Sequence, residues 1–139
     1  MSTQMKLASD IPQARDVPGT VKGTIGDHPF ETAYGKTHTY DGIVRLTLMD
    51  KHEEGGSEEA YIEFPDTAKA GDKLAFDSVR ALTGWITFNH SPNPHALQLT
   101  QGVVRIDEFV LSPFKLKGNI SATTESPAHS VNIDIDVSA

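Results

Sequence analysis

The chain has 139 residues, 37% of them hydrophobic, with 12 basic against 19 acidic side chains and no cysteine. That length suits one domain with a substantial core, and the absence of cysteine excludes disulfides, thiolate catalysis and Cys-ligated metal. A formal charge of −7 without any cluster of Lys or Arg argues against nucleic acid and anionic membranes as partners.

Residues 1–19 are polar, carry Pro12 and Pro18 and show no periodicity, so they read as an extended N-terminal arm ahead of a single β domain over 20–139. The first ten residues lack a signal-peptide core, and no apolar run approaches the ~20 residues of a membrane span. The expected location is the cytoplasm as the chain is given, with secretion after processing as the alternative. Two Asn-X-Ser triplets, at Asn89 and Asn119, carry little weight without a secretory route.

From Thr20 onward, short apolar-polar alternations recur between Gly, Pro, Asp and Asn, the pattern of half-buried strands. Thr20–Ile25 and Phe30–Tyr34 flank a hairpin-like turn, Gly26-Asp27-His28-Pro29, and Gly35–Thr39 reads as loop. Gly42–Met49 alternates through Val44, Leu46 and Leu48. The stretch Asp50–Glu59, charged and centred on Gly55-Gly56, reads as a wet hairpin tip. Ala60–Phe64 ends at Pro65, which donates no ladder hydrogen bond. Asp66–Gly71 is either one helical turn, capped by Asp66, or a loop.

Lys73–Val79 and Thr83–His90 follow, the second apolar on both faces and therefore central, with Trp85 assigned to the core. Beyond Ser91-Pro92-Asn93-Pro94 come Ala96–Thr100, Val103–Leu111, Phe114–Thr124 and the regular Ser130–Val137, punctuated by Gly102 and Pro113. Gly118 shares a face with Leu116, Ile120 and Ala122, and a large neighbour such as Trp85 is expected to fill the gap it leaves. About nine short strands with at most one helical turn predict an all-β, antiparallel β-sandwich, with a small closed β-barrel as the alternative.

The sequence carries no catalytic motif: no nucleophile elbow, P-loop, dinucleotide fingerprint or basic aromatic stripe. Asn132, Asp134, Asp136 and Ser138 project from one strand face, but residues two apart lie ~6.7 Å from each other, too far to share one cation unaided. A solvated outer face is the preferred reading. The same aspartates make a poor glycosidase pair, because nothing buries an acid there. Six histidines are many for this length. His90 and His95 flank the Pro-rich loop and, with His38 or His129, could make a three-ligand zinc site. No close spacing supports that, so the expectation is no metal and no cofactor.

Tyr34 and Tyr40, beside the apparent loop at 35–39, are candidate contact residues, and with Trp85 and Tyr61 they could stack on a sugar. The candidate binding residues are thus Tyr34, His38, Tyr40, His90, Asn93 and His95, with no catalytic residue. The expected function is a non-catalytic interaction module acting through loops, edge strands or the arm, its partner another protein or a copy of itself. The final strand, were it an edge, would be the pairing element. Two alternatives remain: a barrel holding a small apolar molecule, or performing a simple isomerisation or cyclisation, between Phe76, Phe88, Ile106, Phe109 and Leu116, and a carbohydrate-binding sandwich.

Overall fold

Alternation of apolar and polar side chains turns directly into pairing partners: nine strands run antiparallel to their neighbours and eight of them close into a barrel. The computed structural model describes residues 14–53, 55–76, 82–90 and 93–139. The strands are β1 (Arg15–Ile25), β2 (His28–Tyr40), β3 (Ile43–Lys51), β4 (Ser57–Pro65), β5 (Lys73–Ala75), β6 (Thr83–Asn89), β7 (His95–Val110), β8 (Lys115–Thr124) and β9 (Ser130–Ser138). Around the ring the order is β1-β2-β3-β4-β6-β7-β8-β9, and β9 pairs back onto β1 from Gly19↔Val137 to Ile25↔Val131. β5 lies outside the ring and extends the sheet along the second half of β7.

The sandwich expectation is therefore corrected to its alternative, a closed barrel. Both architectures bury every second residue, so local periodicity cannot separate them. The decision lies in β7, whose 16 residues span the space that two short strands were expected to fill. Its register with β8 shifts between Leu99 and Gln101 and again between Ile106 and Glu108. At the first bulge the inward phase passes from Leu97 and Leu99 to Val104 and Ile106, and at the second to Phe109; the added bend lets one strand serve β6, β5 and β8.

Other boundaries move for similar reasons. β1 begins at Arg15, so residues 15–19 of the expected arm belong to the barrel, while residues 1–13 lie outside the described residues. Gly35–Thr39 is strand, because Gly35 and Thr37 put small residues inward where β2 passes Leu46 and Leu48. Asp66–Gly71 forms turns, with the Lys69 N–H bonded to Asp72, and no helix occurs among the described residues. Of the expected strand Lys73–Val79, Lys73–Ala75 is strand and residues 77–79 lie outside the described residues. No helix among the described residues is long and apolar enough to cross a membrane.

Eight strands give an interior that side chains can just fill. Phe30, Phe64, Leu46, Leu48, Ile62, Ile86, Ile106, Leu116, Ile120, Ile133 and Ile135 all point inward with at most 2% exposure. Phe76 also points inward, while Phe88 and Phe109 pack half-buried against this core. Trp85 does not belong to it. It faces solvent at 37% exposure, opposite Tyr61 across the β4–β6 pairing. β9 has β1 on one side and β8 on the other, so it is not an edge.

Candidate functional site

The inward phase of each strand is apolar in the middle of the barrel and changes character at one rim. On β2, Phe30 is preceded in phase by His28; after Leu48 on β3 the same phase reaches Asp50 and His52; before Ala60, Ile62 and Phe64 on β4 stands Glu58. After Ile86 and Phe88 of β6 comes His90, before Leu97 of β7 comes His95, and before Val131 of β9 comes His129. Each of these residues continues the inward phase of its strand, within one position of the strand's end, past the last apolar layer. Five of the six histidines thus meet at the end formed by the β1–β2, β3–β4, β6–β7 and β8–β9 connections, around an open basin of about 650 Å³.

Glu58 is the centre of this rim. It is only 5% exposed, yet it carries a carboxyl group. One oxygen lies 2.7 Å from His52 Nε2 and the other 2.5 Å from His90 Nε2. An ionised carboxylate only accepts hydrogen bonds, so with Glu58 in that form each imidazole is the donor through Nε2. The two rings stack with centroids 5.9 Å apart. Together the three side chains present donor atoms all within 4.8 Å of one another, a set able to hold a metal ion.

The surrounding backbone shapes this cluster. The β3–β4 connection closes with His52 N–H to Gly56 O and Gly55 N–H to His52 O. Gly56 has φ of 84°, and a Cβ there would lie 2.9 Å from His90 Nδ1, so glycine serves both the turn and the room for the ring. Next to the cluster, Phe88 is flanked by His95 and His129, both with ring centroids 5.1 Å away. His95 Nδ1 lies 3.0 Å from Asn93 O, and Asn93 N–H bonds back to His90 O, which fixes the described ends of the β6–β7 connection.

Of the candidate binding residues, His90, Asn93 and His95 come together at this rim. His38 and Tyr40 lie near the β2–β3 turn at the opposite end of the barrel, their rings stacked at 6.4 Å. Tyr34 is on β2 between these ends, across from Pro18. His52 and Glu58 were missed, because Asp50–Glu59 reads as a solvated tip when judged by composition. The signal was in phase rather than composition: Glu58 is the next inward position before Ala60, Ile62 and Phe64.

The acidic face of β9 stays on the outside, as its alternation implies. Asn119 Nδ2 donates to Asn132 Oδ1 and Asp134 Oδ1 at 2.8 and 2.9 Å. Asp107 beside it is paired with Arg105, whose hydrogen bonds hold the carboxyl below its ordinary range. No family model, curated protein or solved structure matches this chain.

Proposed function

We propose that this barrel is a non-catalytic binding module whose recognition end is the histidine rim, where a small ligand enters the basin above the packed core. The observation that carries the reading is Glu58: a carboxyl group held at 5% exposure, each oxygen met by a histidine, at the mouth of a lumen lined chiefly by hydrocarbon. Burying a charge costs free energy, and a barrel built only for stability would continue the apolar column one residue further. His95, His129 and Phe88 add a flat, partly apolar wall on which a ligand can rest.

The test is a two-dimensional amide NMR titration of the full chain with zinc chloride, sodium phosphate and benzoate in turn. Saturable shifts at residues 52–58, 88–95 and 129 with at least one probe are expected. Shifts confined to residues 38–45 or to the outer wall, or no saturable shift with any probe, would refute the reading. A second reading is favoured by Trp85, which lies 37% exposed beside Tyr61 on the outer wall. There the barrel contacts a glycan or another protein by aromatic stacking. Tryptophan fluorescence against a glycan panel reports on that surface separately.

A further inference from the structure

We propose that His52, Glu58 and His90 bind a divalent transition cation of the zinc class, with the remaining coordination position turned toward the rim basin. The inference rests on reading the rim as the recognition end and gives that site its ligand. Its first support is the donor set. Two imidazole nitrogens and one carboxylate are the three-protein-ligand combination with which zinc sites keep one position open. Imidazole donors select transition metals, whereas magnesium and calcium take oxygen ligands.

Geometry is the second support. Zinc bonds of about 2.0–2.2 Å arranged tetrahedrally place donor atoms roughly 3.3 Å apart. The His–Glu separations here are 2.7 and 2.5 Å, and all three donors lie within 4.8 Å. The required spacing falls between these values, so side-chain adjustments on the order of 1 Å suffice. The residues also divide the work suitably. Glu58, its side chain 7% exposed, is a fixed anchor on β4, while His90, at 47%, has solvent into which to swing.

The third support is charge. Among the described residues, the buried Glu58 carboxyl meets only two imidazole nitrogens. A dication between the rings neutralises it directly, and each neutral imidazole then carries its hydrogen on Nδ1 and offers the Nε2 lone pair. On the open side, Phe88, His95 and His129 border a basin of about 650 Å³, which leaves room for water or a small anion as the fourth ligand.

The experiment is isothermal titration of the full chain with zinc chloride in a non-chelating buffer, with magnesium and calcium chloride as comparisons and cobalt chloride followed by visible absorption. One zinc per chain is expected, with no heat from magnesium or calcium, and cobalt bands of low-coordinate type. E58Q and H90A should each weaken zinc binding by at least the roughly ten- to hundredfold that loss of an outer-shell partner alone costs. Thermal melts of the metal-free variants establish folding. Should E58Q fail to fold, H90A, altering a half-exposed ring, carries the test. Zinc binding unchanged in both variants, or zinc shifts centred on His28, His95 and His129 without His52 and His90, would overturn the proposal. If phosphate or benzoate moves the rim amides and zinc does not, the metal assignment fails while the rim reading stands; if no probe moves them, both fail.

Discussion

Glu58 separates what this fold needs from what its rim does. Its backbone continues a column that includes Ala60, Ile62 and Phe64, each at most 1% exposed, and leucine would extend that column without breaking the alternation. Replacing a buried, hydrogen-bonded charge by a hydrocarbon of similar size is often neutral or stabilising. Glu58→Leu is therefore expected to melt at or above the native temperature while losing all rim binding. A destabilisation of about 2 kcal/mol or more in chemical denaturation would mean instead that the carboxylate is a structural tie between β3, β4 and β6. The same residue shows what composition hides. Judged with Asp50, Glu53 and Glu59, Glu58 looks like part of a solvated run; judged by its phase with Ala60, it is an acid pointing into a barrel. His52 is hidden in the same way behind Leu48 and Asp50.

At the scale of elements, strand existence was readable and strand length was not. Ser130–Val137 was legible almost to the residue because its alternation has no interruption, and β9 runs Ser130–Ser138. β7 was divided because two bulges reverse its parity, and a reversal of parity looks in sequence like the end of one strand and the start of another. β2 reads short because its inward phase passes from Phe30 to Gly35 and Thr37, a change of parity onto a glycine and a polar residue that interrupts the apolar alternation. Gly118 illustrates a correct placement with a different cause. It does face inward between Leu116 and Ile120, but the space beside it is taken by backbone: a Cβ there would lie 2.2 Å from Arg105 O on β7, at the second bulge. Trp85, on the outer wall, plays no part. Gly118→Val should cost at least roughly 1–3 kcal/mol through overpacking, read as a lowered denaturant midpoint; an unchanged midpoint would show that β7 and β8 do not approach this closely.

For the molecule as a whole, strand order sets the central cluster and closure completes the rim around it. In a sandwich, strand ends from two sheets form two separate rows at each end, whereas a ring of eight brings the ends of β2, β3, β4, β6, β7 and β9 around one mouth. Pairing of β4 with β3 and β6 brings His52, Glu58 and His90 together, and closure of the ring then sets His129 against Phe88 across the mouth. That explains why the histidine count was visible in the sequence while the constellation was not: grouping them needs strand order, which long-range pairing such as Gly19↔Val137 decides and local pattern does not. The packed lumen leaves the core to stability, and under the proposed reading recognition falls to this mouth. The most direct measurement is anomalous diffraction at the zinc edge from crystals grown with one equivalent of zinc. The account predicts a single strong peak bonded to His52 Nε2, His90 Nε2 and Glu58 at about 2.0–2.2 Å. A map with no peak between these three side chains, or with its strongest peak elsewhere on the chain, would contradict it.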